Sequence, residues 1–246
     1  MINGWVMDSM VLLSCTLTAK HGLLFSHAGA NGQCHSIEIG LALMLYDKND
    51  AQLVLVSCQE SICAKSTDPQ TFSGQVEKLA RVAQIFQIPI WSVIHMPHLW
   101  GAHLSVCQSI CPRPLESASF SAADILISHL NPQRGLTGGN ARSLPKHLQK
   151  PAVPAEPQRP VIVLAGCEVH VGVVQTALNL MEQGYEALVV VDACTSVNPR
   201  DQDAAMDRLA AAGVELTSVE MLCMEWLRAS HLPESQAVMA ALGKLQ

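Results

Sequence analysis

The run Val161-Ile-Val-Leu-Ala165 constrains this chain more than any other stretch. Five consecutive apolar residues, three of them β-branched, describe a strand buried on both faces, and such strands belong to parallel sheets covered by helices. The run breaks at Gly166. From Gly172 a helical period takes over, with Val173, Ala177, Leu180 and Met181 three and four apart, and Gly184 supplies the stop. Ala187 to Asp192 then reads as a strand, Asp201 to Ala212 as a helix, Val214 to Thr217 as a strand, and Ser218 opens a last helix. Alternation with short connections implies right-handed crossovers and a parallel sheet. In such sheets the ligand crevice lies beyond the carboxyl ends of the strands, which places Cys167, Glu168, His170 and Gly172 around any site.

Upstream, Leu53 to Gln59 is an apolar run ending in polar residues and reads as the first parallel strand. A helix is expected from about Gly74, with Val76, Leu79, Ala80, Ala83 and Phe86 on one face. Ile88 to Ile94 gives a second strand that tolerates Pro89 at its start. His95 to His103 reads as a loop, and a helix follows from about Ala123 to Leu130. Residues 131–160 hold six Pro and three Gly, the composition of a loop or insertion. The expectation is a three-layer α/β sandwich around a mostly parallel, Rossmann-like sheet of five or six strands. Leu53–Ser57 and Val161–Ala165 should be parallel neighbours within it. The domain spans 51–230, preceded by an extension at 1–50 and followed by a tail at 231–246.

Composition narrows the function classes. With 49% apolar and 15% charged residues, 246 residues suit one globular domain with a large core. A net charge of −6 argues against a nucleic-acid surface. Nine Cys, an odd number at scattered spacings, read as reduced thiols of a cytoplasmic protein. No run of 18 apolar residues is present, so no membrane partner is expected. The first 50 residues are low in charge and lack a clear period. Leu12-Leu-Ser-Cys15 is similar to a lipoprotein cleavage box, but Asp8 precedes it and no Lys or Arg does. Met44 as the start of the true product, with 1–43 dispensable for folding, is the preferred reading. An ordered extension covering a sheet edge is the other.

The segment Gly166-Cys-Glu-Val-His-Val-Gly172 continuing to Tyr185, with Val189-Val-Val-Asp-Ala-Cys-Thr-Ser196, resembles the isochorismatase-like cysteine hydrolases. That superfamily includes isochorismatases, nicotinamidases and N-carbamoyl-sarcosine amidohydrolases, and the likeness is nearest to the isochorismatase domain-containing branch. It spans roughly residues 51 to 230. It implies an Asp, a Lys and a nucleophilic Cys, and a non-proline cis peptide near the oxyanion hole. Alignment on Gln59 puts Ser57 at the Asp position. Alignment on Phe120-Ser121 puts Ser117 at the Lys position, with Glu116 one residue away. Alignment on Gly166, Glu168 and His170 puts Gly172 at the Cys position.

The chemical consequence is severe. Gly172 has no side chain to attack with, Ser57 is no base at neutral pH, and Ser117 carries no charge. Removing one member of such a unit costs on the order of 10⁴ in rate. The chain is therefore expected to be a non-catalytic binder of a small-molecule ligand or partner, with no cofactor, and a homo-oligomer as its relatives commonly are. The alternative is a cysteine hydrolase of small amides or vinyl ethers with a relocated nucleophile such as Cys167. Pocket candidates are Gln59, His95, Phe120, Cys167, Glu168 and His170. Cys58 adjoins the vacated Asp position but points to the opposite face by alternation, and Cys194 and Asp192 read as structural. His95, His98 and His103 lack a carboxylate partner, so no metal is expected.

Overall fold

The computed structural model describes residues 45–131 and 159–245, together with the backbone of three strands nearer the N terminus. All but the ends of the expected insertion at 131–160 lie outside the described residues. The chain divides into two compact units, Met1–Leu45 and Tyr46–Gln246. In the first, β1 (Leu13–Leu17), β2 (Leu23–Ala28) and β3 (Cys34–Ile39) form an antiparallel sheet in that order, with Cys15 opposite Phe25 and Phe25 opposite Ile37. The want of a clear period in this stretch gave no sign of them.

The second unit alternates throughout. Its elements are β4 (Ala51–Val56), α1 (Glu60–Cys63), α2 (Pro69–Ile85), β5 (Ile90–His95), α3 (Pro97–Trp100), α4 (Ser105–Ile110), β6 (Leu115–Ser117) and α5 (Ala123–Leu130). After the undescribed segment come β7 (Val161–Cys167), α6 (Val174–Glu182), β8 (Glu186–Thr195), α7 (Pro199–Ala211), β9 (Glu215–Thr217), α8 (Val219–Leu227) and α9 (Ser235–Ala241). The six strands are all parallel, in the order β6-β5-β4-β7-β8-β9. β4 and β7 are neighbours with Leu53 opposite Val163, as the two apolar runs require. The winding reverses between them, which makes the carboxyl ends of β4 and β7 the topological switch point where ligands bind in open α/β sheets.

Alternation along the strands builds two cores. Leu53, Leu55, Val163, Ala165, Leu188 and Val190 meet Val76, Leu79 and Ala83 of α2, Leu222 and Trp226 of α8, and Val238 of α9 on one face. Val54, Val56, Ile162, Leu164 and Val189 meet Leu126 of α5, Ala177 and Leu180 of α6, and Leu209 of α7 on the other. Each fully buried aliphatic side chain contributes roughly 1.5–3 kcal/mol.

Local differences from the sequence reading have identifiable causes. Helix α2 begins at Pro69 and not at Gly74, because Asp68 accepts from the Thr71 N–H at 3.0 Å and Pro69 fits the first helical position. His95 closes β5, the loop expected from His95 to His103 contains the helical turn α3, and α4 follows it. The helix expected from Gly172 starts earlier, as a π-type turn over Val169–Val173 that leads into α6. The expected C-terminal tail is instead the site of α9, whose Val238 is fully buried together with Leu242 just beyond its end.

Candidate active site

Ser57 follows β4 with φ 54°, the left-handed region that few non-glycine residues adopt. Its N–H donates to the Val93 carbonyl at 2.8 Å, which pins the turn to β5. The turn breaks the strand's alternation, so that Cys58 enters the first core while the Ser57 hydroxyl faces β5. Ser57 Oγ lies 2.8 Å from His95 Nδ1. Gln59, wholly buried, fixes the surroundings from both ends of its amide: Oε1 accepts from the His95 N–H at 2.8 Å, and Nε2 donates to the Gly101 carbonyl at 2.9 Å. It is a tether more than a pocket wall.

His95 is 1% exposed and its Nε2 meets no hydrogen-bond partner. Burial lowers its pKa below the usual 6.5, partly offset by the backbone of Ser119, so the imidazole is neutral at pH 7. Two aromatic rings close round it. Trp100 and Phe120 lie 6.1 and 6.4 Å from the His95 ring centroid and stack on each other at 6.1 Å. Phe120 is 41% exposed and forms the outer surface of the trio. Trp100 was not among the sequence candidates; the signal was Pro97, which starts the helical turn that carries Trp100 back over His95.

Ser117 ends β6 directly opposite His95 in the strand register, and its hydroxyl donates to the Ser119 carbonyl at 2.9 Å. A Cβ added at Gly172 would stand 2.9 Å from Val56 Cγ1, 3.4 Å from Ser57 Oγ and 3.7 Å from the Phe120 carbonyl oxygen. Ser57, Ser117, Gly172 and His95 therefore gather at the carboxyl ends of β4, β5 and β6, and the gathering contains no ionised side chain. Glu116, the alternative to Ser117, is exposed.

Glu168 and His170 serve the turn after β7. Glu168 takes φ 54°, and no cis peptide occurs among the described residues. Its Oε1 accepts from the Val197 N–H at 2.8 Å and its Oε2 lies 3.5 Å from His170 Nε2. His170 Nδ1 is 3.2 Å from Ser196 Oγ, which also accepts from the Val169 N–H at 3.1 Å. Both side chains thus brace this turn against the loop between β8 and α7. Asp192 likewise accepts from the Val219 N–H at 2.8 Å and from Gln75 Nε2.

Cys167 is wholly buried in the first core, and the Cys63 thiol beside it, together with burial, pushes its own thiol far above the ordinary range. Burial brings Cys194 up to about 12. His98 is exposed, and His103 Nε2 lies 2.6 Å from Ser92 Oγ. Among the described residues no three His, Cys, Asp or Glu side chains are grouped to hold a metal ion.

Comparison with known proteins follows the same lines. The Isochorismatase domain family model matches residues 146–221. Isochorismatase family protein 2A of Dictyostelium discoideum is 30% identical over 153 residues, which cover 62% of this chain and 70% of that protein. The MAR1 ribonuclease structure from Caenorhabditis elegans superposes with a TM-score of 0.67 at 20% identity, covering 81% of this chain and 92% of that one. The YcaC gene product of Escherichia coli, an octameric hydrolase of unknown specificity, gives 0.61 at 21% identity, covering 82% and 98%. At these identities the two structures speak for the fold alone.

Proposed function

Given that this chain belongs to the isochorismatase family and has its isochorismatase-like hydrolase fold, we propose that it is a pseudoenzyme whose site binds a small molecule or a partner subunit. One observation carries this reading: the position facing Ser57 is Gly172, where a first side-chain carbon would stand 3.4 Å from the Ser57 hydroxyl. A thiol, a carboxylate base and an ammonium group would have to meet here, and a hydrogen, a hydroxyl and a second hydroxyl at Ser117 stand in their places. A thiol at 172 would need a base to ionise it and a cation to stabilise the charge that develops. The neutral His95 and the stacked Trp100 and Phe120 favour uncharged, partly apolar ligands. Self-association in the cytoplasm completes the reading. The octamer of the YcaC gene product supports the first part, and the free state of all seven described cysteines supports the second.

The test is turnover by the purified full chain on isochorismate, nicotinamide and simple amides, with mass spectrometry for a covalent intermediate. No turnover and no adduct are expected, and Gly172→Cys alone restores neither. Hydrolysis that Cys167→Ala abolishes would overturn the reading in favour of a relocated thiol, a role that the burial and raised pKa of Cys167 oppose.

A further inference from the structure

Five of the described thiols lie in one hydrophobic core, and four of them, Cys58, Cys63, Cys107 and Cys167, belong to or follow the strands and turns that carry the site. These four fall into two contacting pairs, Cys58 with Cys107 and Cys63 with Cys167. The backbone already holds the first pair's segments together, since the Leu104 N–H donates to the Cys58 carbonyl at 2.9 Å. His103 stands next to Cys107. Its Nε2 is engaged with Ser92 Oγ at 2.6 Å, and its Nδ1 is buried with no hydrogen-bond partner. Ser92, His103, Cys107 and Cys58 thus form a relay in which one thiol has both a neighbouring base and a neighbouring thiol.

We propose that Cys58 and Cys107 are a dithiol that hydrogen peroxide converts to a disulfide, with His103 accepting the Cys107 proton. The Cys107 thiolate attacks one peroxide oxygen, the O–O bond breaks and an S–O bond forms. The departing hydroxide takes the proton from His103 and leaves as water. The Cys58 thiol then attacks the sulfenic sulfur, the S–O bond breaks, the S–S bond forms, and the hydroxyl leaves with the Cys58 proton as a second water. Two thiols are oxidised and one peroxide is reduced. The environment agrees with this direction: the contact with Cys58 and the nearby His103 lower the Cys107 thiol pKa against the cost of burial, so its thiolate is the accessible form near neutral pH. The second pair has no such help, because Cys63, burial and the Glu168 carboxylate all hold Cys167 in its thiol form. Peroxide is little larger than water, and it reaches Cys107 by opening of α4, a helix of six residues whose Val106 and Ile110 are only partly buried. The disulfide would lock the turn after β4, which carries Ser57, to the segment after His95.

The experiment maps disulfides in the reduced full chain during peroxide treatment, with thiol blocking, proteolysis and mass spectrometry. The first cross-link expected joins the Cys58 and Cys107 peptides. His103→Gln slows its formation by about tenfold or more, because the base is gone. Cys58→Ala diverts Cys107 to a sulfenic acid that dimedone traps. The proposal is overturned if Cys107 stays fully alkylatable while peroxide is consumed, if the half-buried Cys111 reacts in its place, or if Cys63–Cys167 forms first. The mapping on the unsubstituted chain decides this even where a variant does not fold. Turnover and ligand binding do not enter, so the result stands apart from the proposed function.

Discussion

Replacing Gly166 by alanine puts a methyl group where no atom fits. A Cβ at this position would stand 2.0 Å from the Val56 carbonyl oxygen, 2.9 Å from its carbon and 3.1 Å from its nitrogen. All three are backbone atoms of the neighbouring strand, so no side chain can rotate away, and β7 must move off β4 by about 1 Å in a ladder whose spacing is near 4.8 Å. Overpacking alone costs about 1–3 kcal/mol, and a weakened ladder hydrogen bond adds about 1 kcal/mol. The expected loss is therefore about 2–4 kcal/mol, which for a domain of this size lowers Tm by roughly 4–16 °C. Gly74 is the control. It lies inside α2 with nothing within 4 Å of an added Cβ, so Gly74→Ala gains about 0.5–1 kcal/mol of helix propensity. Thermal unfolding followed by circular dichroism measures both. A Gly166→Ala protein melting within 2 °C (roughly 1 kcal/mol) of the parent would refute the close approach of β4 and β7.

Other expectations concern the site. Ser57→Ala removes the hydroxyl that lies 2.8 Å from His95 Nδ1 in a buried site, and costs about 1–3 kcal/mol in denaturant unfolding; an unchanged midpoint would mean the bond is absent in solution. Because burial depresses the His95 pKa, the unfolded chain takes up that proton first. The His95 contribution is therefore intact above the unfolded value of 6.5 and lost as pH falls below it through the folded value. Tm should decline over that window, and less steeply in His95→Gln. Light scattering at micromolar concentration should show an assembly larger than the monomer.

The order of strands and helices was legible because the apolar runs at Leu53 and Val161 leave no amphipathic alternative, and their pairing follows from the parallel winding. The apposition of Ser57 and Gly172 was legible too, through the register of the motifs around them. The Ser57–His95 bond was not, since it depends on a left-handed turn that a serine gives no reason to expect. The thiol cluster joins residues 58, 63, 107 and 167, a tertiary gathering that no local spacing encodes. Helix α9 escaped notice because its Ala-rich sequence shows little periodicity, and its burial rests on Val238 and Leu242 alone.

Gln59 acts on the chain as a stretch of backbone would. Its amide receives the His95 N–H and donates to the Gly101 carbonyl, the two bonds that a neighbouring peptide group would make. One side chain thus substitutes for a length of strand that the sheet does not supply, and it clasps the segment 95–101 at both ends. Between the two clasped groups the chain makes the turn that starts at Met96, with φ 40°, and carries Trp100 back over His95. Loss of the Gln59 amide would therefore free both ends of that turn at once, and with them the ring that covers His95.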